Sequence, residues 1–257
     1  MMNLHKLYYK DYFNIDDWNN LENNKIDEHN SKLTGSIDLS PYNDYFSQEK
    51  FFEETNPIEL EVLYPGLVTG VGINHETKKI KDEFKLGIHF DWTTGMPVIY
   101  GSSVKGVLKS YFEDFYDPDK TQPSKKEAED DIFDGKNKQK VKSEGKDEEI
   151  VKSKSIYNRD IFFDAIIVNT EPKKGRILCS DSITPHGDNP LKNPTPITFM
   201  KIAPGCHIKF RFKLVDTKIG DKVLTAQDKL KIFKKILTTV GIGAKTNVGY
   251  GQLKSVN

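Results

Sequence analysis

The eleven residues Gly241-Ile-Gly-Ala-Lys-Thr-Asn-Val-Gly-Tyr-Gly251 combine four glycines with one lysine and one tyrosine. Glycine tolerates positive φ and lets a backbone approach a ligand closely. Consecutive free N–H groups beside a lysine form an anion-binding concavity, and a phosphate is the natural guest. The mononucleotide loop G-x-x-x-x-G-K-[ST] does not fit, because Ala244 and Thr239 stand where it needs glycine. That loop also joins a strand to a helix, whereas this one leaves a helix-patterned run and enters a short strand. Two readings remain: a plain glycine-rich turn, or a surface that follows a phosphate backbone.

Acid–base chemistry has thinner support. His89 and Asp91 alternate onto one strand face, as a base and its orienter would. A surface histidine and an aspartate opening the Thr93-Thr-Gly turn account for the same residues without chemistry. Asp82 and Glu83 lie in a neighbouring polar stretch, and His186-Gly-Asp188 sits in a proline-bounded loop where turn chemistry suffices. Phosphoryl transfer by paired metals needs several converging carboxylates, and no such cluster is evident. The expectation is therefore no catalytic residue, no metal and no cofactor. Cys179 and Cys206 form no C-x-x-C, the six histidines are scattered, and two buried thiols in a reducing cytosol is the simplest reading.

The chain that positions these residues has 257 residues, 36% hydrophobic and 30% charged, which suits a soluble protein. No apolar run approaches the roughly 18 residues of a membrane helix. The start, Met1-Met-Asn-Leu-His-Lys-Leu-Tyr, has no signal-peptide pattern, so a cytoplasmic location is expected. Net charge is zero, yet residues 1–60 hold twelve acids and five lysines, whereas residues 225–257 hold six lysines and one acid. A local basic face is what a phosphate backbone feels.

Residues 1–57 read as a polar, Asn-rich extension with aromatic islands and one helix from about Asn43 to Glu54. A strand follows from Ile58 to Val71, broken or bulged at Pro65-Gly66. Gly70 to Lys85 reads as a loop and Leu86 to Trp92 as a short strand. Val104, Val107, Leu108, Tyr111 and Phe112 form one apolar stripe of a helix from Ser102 to Phe115, capped by Ser102 or Ser103. Between Asp117 and Lys154 the apolar residues are few and aperiodic, predicting a mobile inserted loop, at best partly helical. Asp160 to Asn169 reads as a strand buried on both faces. Arg176 to Met200 reads as a hairpin arm with its tip near Pro185–Pro196. Cys206 to Leu214 alternates apolar residues inward with His207, Lys209, Arg211 and Lys213 outward. Thr225 caps a helix to Val240, with Leu230, Phe233, Ile236 and Leu237 on its buried face. Val248 to Lys254 is the last strand. Without the inserts the order is βαββαβ, an α+β, ferredoxin-like (RRM-like) antiparallel sheet with both helices on one face.

Two stretches, Pro97-Val-Ile-Tyr-Gly-Ser-Ser-Val-Lys-Gly-Val-Leu108 and the C-terminal glycine loop, together resemble the RAMP superfamily of CRISPR effector proteins. The likeness spans roughly residues 58–254. Thr69-Gly-Val-Gly-Ile, Phe162-Phe-Asp-Ala and Thr198-Phe-Met make it most similar to the sixth RAMP subunit of the type III-B (Cmr) complex. The chain departs from the family at Tyr100, where proline is usual. The resemblance implies a RAMP domain over 58–257, with the insert at about 117–155 and a β-hairpin thumb at about 176–200. It implies that Gly101, Ser102, Ser103 and Lys105 lie near guide-RNA backbone at a helix N-terminus, where dipole and free N–H groups attract phosphate. Lys109, one turn on, would extend that path. Gly243, Lys245, Thr246, Asn247 and Tyr250 are implied in the same role, and Phe199 and Met200 as residues that wedge between bases, or else as core. The implied partners are guide RNA, target RNA and the other RAMP and small subunits, with no membrane. The implied function is non-catalytic RNA binding in antiviral defence. A metal-dependent RNA endonuclease of the same superfamily and a purely structural scaffold are the alternatives.

Overall fold

The protein is described by a computed structural model covering residues 2–12, 23–47, 55–70, 82–84, 88–143, 146–170, 175–184 and 196–256. A helical segment from Leu4 to Asp11 opens the chain. The elements that follow are α1 (Asn23–Leu33), α2 (Ser40–Ser47), β1 (Asn56–Val62), β2 (Val98–Ile99), α3 (Gly101–Phe115), α4 (Lys125–Asp134), β3 (Lys136–Ser143), β4 (Lys146–Ser153), β5 (Ile161–Phe162) and β6 (Ala165–Asn169). After these come β7 (Leu178–Ile183), β8 (Ile197–Ile202), β9 (His207–Lys213), β10 (Thr217–Ile219), β11 (Lys222–Leu224), α5 (Ala226–Val240) and β12 (Leu253–Ser255).

The main sheet runs β12-β1-β9-β6-β2, with β5 also paired to β9. Every neighbouring pair is antiparallel. Alternation divides its faces. Ile58, Leu60 and Val62 of β1 and Ile208, Phe210 and Phe212 of β9 are buried. They share a core with Val104, Leu108 and Phe112 of α3 and Phe233, Ile236 and Leu237 of α5. Burying each such side chain is worth about 1.5–3 kcal/mol. The other face is charged: Glu59 meets His207 Nδ1 at 3.1 Å and Lys209 at 3.8 Å, and Glu61 meets Lys254 at 3.0 Å. Arg211, expected to point outward, is only 7% exposed.

Helix α5 begins where the sequence places it. The Thr225 hydroxyl accepts from Asp228 N at 3.1 Å, closing the first turn. Helix α3 does not use its serines. Tyr100 is its N-cap residue and makes no side-chain cap, while Asp164 Oδ1 accepts from Gly101 N at 2.6 Å. That contact explains why the expected strand from Asp160 to Asn169 divides into β5 and β6: Asp164 leaves the ladder to serve the helix. Strand β1 likewise stops at Val62, and Gly66 (φ 123°) turns the chain.

The stretch between Asp117 and Lys154 departs most from expectation. It is helix α4 followed by the β3–β4 hairpin, not a loop. Ser124 and Glu127 form a reciprocal capping box, and Gly135 (φ 62°) ends the helix in the left-handed region. Ala128, Ile132 and Phe133 enter the main core. The Phe133 ring lies 5.5 Å from Phe112 and 5.6 Å from Phe162. Beside it a buried polar cluster joins α4 and α5 to the connecting segments at Lys154, Asp160 and Val215. Lys229 Nζ of α5 contacts Asp160 Oδ2 at 2.5 Å and Val215 O at 2.7 Å. Lys154 Nζ contacts both Asp131 oxygens of α4, at 2.6 and 2.7 Å. Burial pushes the Asp160 carboxyl up against the pull of Lys229, and pushes Lys229 down.

The N-terminal extension is more ordered than its composition suggests. Leu4, Tyr8, Tyr12, Leu33, Leu39 and Tyr42 are buried in the same core. The expected helix from Asn43 is found from Ser40 to Ser47, and residues 48–54 lie outside the described residues. So do most of the loop expected from Gly70 to Lys85, and His186, Asp188 and most of the arm tip. Cys179 is half-buried and Cys206 buried, both as free thiols, and burial pushes Cys206 up to about 12.

Candidate nucleic-acid interface

Helix α5 ends at Gly241, and the glycine loop then folds back on the turn after β1. Ile242 N donates to Gly251 O at 3.0 Å, Ala244 N to Val68 O at 2.8 Å, and Gly251 N to Gly66 O at 2.8 Å. A Cβ at Gly243 would stand 2.4 Å from Val68 O. Its lack of a side chain is therefore required by the protein's own backbone, not by a ligand. Gly101 is similar, since a Cβ there would meet Phe162 O at 2.2 Å.

Lys245 is the loop's unusual residue. It takes φ 63°, a conformation uncommon outside glycine and costly unless the surroundings impose it. It opens a short 3-10 turn, Thr246–Val248, closed by Gly249 N to Thr246 O at 3.1 Å. Among the described residues the N–H groups of Lys245, Thr246 and Asn247 donate to no backbone carbonyl. Asn247 is exposed, and Lys245 and Thr246 are half-buried. Lys245 makes no ion pair among the described residues. A lysine thus stands beside three successive N–H groups that donate to no backbone carbonyl of the described residues, the ingredients of an anion-binding turn.

A chain of contacts through two intervening segments links the loop to the helix start. Val68 holds Ala244, the next residue Thr69 accepts from His89 N at 3.3 Å, and the His89 ring stacks on Tyr100 with centroids 4.6 Å apart. Ser102 and Ser103 are exposed beyond it. The end of α3 already holds an anion, the Asp164 carboxylate, so its dipole is partly answered within the fold. Lys105 is half-buried and makes no ion pair among the described residues. Lys109 pairs within the protein, its ammonium lying 2.8 Å from Asp134 and 3.9 Å from Glu129 of α4.

Tyr250, Phe199 and Met200 have structural work instead. Phe199 and Met200 are fully buried at the base of the β7–β8 arm, so neither is placed to wedge between bases. Tyr250 Oη donates to Asp181 Oδ2 at 2.8 Å, and the same oxygen pairs with Lys201 Nζ. Lys201 also lies 5.5 Å from the Tyr250 ring centroid, and Phe199 packs edge-on to that ring at 6.0 Å. This joint fastens the arm to the glycine loop. Burial raises the Asp181 carboxyl, but Lys201, Tyr250 and the Ser182 N–H together hold it below the usual range. Sequence periodicity missed the joint because Asp181 and Lys201 fall on different strands, twenty residues apart.

His89 and Asp91 are not brought together as base and orienter. Asp91 Oδ1 accepts from Thr93 N at 3.1 Å, Thr94 N at 2.6 Å and Thr94 Oγ1 at 2.8 Å, the turn chemistry weighed for it. Burial lowers the His89 pKa. Among the described residues no three His, Cys, Asp or Glu side chains are grouped to hold a metal ion.

Comparison with solved structures finds a chain of the type III-B Cmr-beta complex bound to cognate target RNA, 19% identical, with a TM-score of 0.56, covering 95% of this chain and 77% of that one. Crystalline Cmr6 from Pyrococcus furiosus is 18% identical with a TM-score of 0.38, covering 79% of this chain and 98% of that one. A chain of a type IV-B CRISPR complex gives 13% and 0.41, covering 78% of this chain and 90% of that one. No curated protein sequence matches. The sequence pattern of the RAMP superfamily matches residues 59–254, a span that runs from β1 through the Gly101-Ser-Ser helix start to the glycine loop and β12; the chain belongs to the RAMP superfamily.

Proposed function

We propose that this RAMP protein is a non-catalytic RNA-binding subunit of a type III-B CRISPR ribonucleoprotein, holding RNA backbone at the glycine loop. The observation that carries the reading is the Lys245–Asn247 turn, where Lys245 holds a positive φ and, among the described residues, makes no ion pair, and where three successive N–H groups donate to no backbone carbonyl of the described residues. Such geometry recognises a phosphate without reading a base. The fold shared with a chain of a complex bound to target RNA supports it. The strand order β12-β1-β9-β6, with α3 and α5 on one face, supports a ferredoxin-like domain, a platform on which RNA binding recurs. The β7–β8 arm supports the thumb reading, although its buried base contributes no wedge.

The Asp91 turn argues against the endonuclease alternative, because the carboxylate oxygen nearest the turn is already engaged by three donors. The chain should work in the cytoplasm, with guide RNA, target RNA and neighbouring RAMP subunits as partners. Titrating labelled single-stranded RNA with and without magnesium decides among the readings. Retention of uncut RNA in both conditions is expected. Cleavage dependent on magnesium would make the chain an endonuclease, and no retention would leave a scaffold.

A further inference from the structure

Beside the glycine loop lies a cleft of about 190 Å³, lined by Tyr64 on one side and by Thr170, Gly175, Arg176, Pro204 and Gly205 on the other. We propose that this cleft seats one unpaired nucleobase of the RNA, stacked on Tyr64, with Arg176 reaching its phosphate; the inference rests on the RNA-binding reading above.

Tyr64 is 84% exposed. Exposure alone assigns it no partner, since single exposed aromatic rings are common; what sets Tyr64 apart is that it lines the cleft. Its backbone is nevertheless firmly held. Leu63 N donates to Gln252 O at 2.9 Å, Gly66 N to Leu63 O at 2.9 Å, and Gly205 N to Val62 O at 2.9 Å. The ring is therefore a platform on a fixed turn. That turn touches the glycine loop directly, since a Cβ on Gly249 would stand 3.7 Å from Pro65 Cδ. An RNA strand held at Lys245 would meet the cleft across this shared turn.

The charges select the occupant. Glu61 also lines the cleft, but its carboxylate is tied to Lys254 at 3.0 Å. Arg176 is exposed and has no ion-pair partner among the described residues. The described residues that line the cleft therefore present one net positive charge. Its volume falls below the roughly 300–1,000 Å³ of pockets for drug-sized ligands, which leaves room for a single ring system. An aromatic platform, an exposed guanidinium and space for one base are the elements of single-strand recognition. A protein neighbour would bring a larger apolar contact than this small, half-polar cleft can bury.

The test uses the full chain and single-stranded RNA carrying 2-aminopurine at successive positions. One position should be quenched on binding. Tyr64→Ala should abolish that quenching and weaken binding by about tenfold, a typical loss for one base–aromatic stack, without changing the salt slope. Tyr64→Phe should bind as the parent does, and Arg176→Ala should reduce the salt slope. Melting temperatures should match the parent, given how exposed both side chains are. Parental affinity and quenching in Tyr64→Ala and Arg176→Ala, while a Lys245 variant still weakens binding, would overturn the cleft and leave the cradle standing. Loss of a co-purifying subunit from Tyr64→Ala with RNA affinity intact would assign the cleft to protein and overturn it equally. No RNA binding by the parent would remove both readings.

Discussion

Phe133→Ala tests whether α4 is part of the core. The ring is 2% exposed and packs against Phe112, Phe162 and, at 6.2 Å, Phe233. Truncating a buried phenylalanine costs about 3–5 kcal/mol. Three aromatic neighbours, each pair worth about 0.5–1.5 kcal/mol beyond area burial, place this site in the upper part of that range. A loss of about 4 kcal/mol lowers the melting temperature of a chain of this size by roughly 8–16 °C. The matched control replaces residues 138–151 with a two-residue turn. Val151 at the base of that hairpin is 55% exposed, and Lys154 keeps its contact with Asp131. The control should cost less than about 1 kcal/mol, because loop length changes closure entropy slowly. Thermal unfolding by circular dichroism reads both. A Phe133→Ala protein melting within about 2 °C of the parent, less than 1 kcal/mol on the same scale, would refute the packing of α4 into the core.

Lys229→Met should destabilise by about 3–5 kcal/mol, because it strands the buried Asp160 charge, and adding Asp160→Asn should recover much of that loss in chemical denaturation. Tyr250→Phe should loosen the arm from the glycine loop, read as faster amide exchange in β7 and β8 with the main sheet unchanged; equal exchange would contradict the joint. The Asp181 carboxyl is held below its unfolded value, so its stabilisation is present above the ordinary carboxylate range and fades as pH falls through the lower, folded pKa. Asp181→Asn should accordingly melt below the parent at pH 7 and converge with it in strong acid; a gap that persists there would contradict the assignment.

What was legible in the sequence was what periodicity encodes. The stripe Leu230, Phe233, Ile236, Leu237 and the alternation Ile208, Phe210, Phe212 each became the element they predicted. The glycine loop was found between its helix and strand, and both arm strands fell where expected. Helix α4 was missed because Ala128, Ile132 and Phe133 are only three apolar positions in a charged run, although the Ser124–Glu127 capping box was readable. Lys229 falls on the apolar stripe itself, four residues before Phe233 and seven before Ile236, yet only the fold reveals Asp160 opposite it. At the site, residue types located the loop but could not show which members also have partners within the fold. Gly101 and Gly243 answer to backbone packing, Lys109 to Asp134, and Tyr250 to Asp181. Among the described residues Lys105 and Lys245 make no ion pair, and the N–H groups of Lys245 through Asn247 donate to no backbone carbonyl.

The most direct test of the account is the salt dependence of single-stranded RNA binding by the parent and by Lys245→Asn, a residue that tolerates the left-handed backbone found there. Loss of one phosphate contact should weaken binding to all sequences alike and reduce the slope of log K against log salt by about 0.7–1. An unchanged slope with unchanged affinity, in a variant that melts like the parent, would contradict a phosphate cradle at the glycine loop.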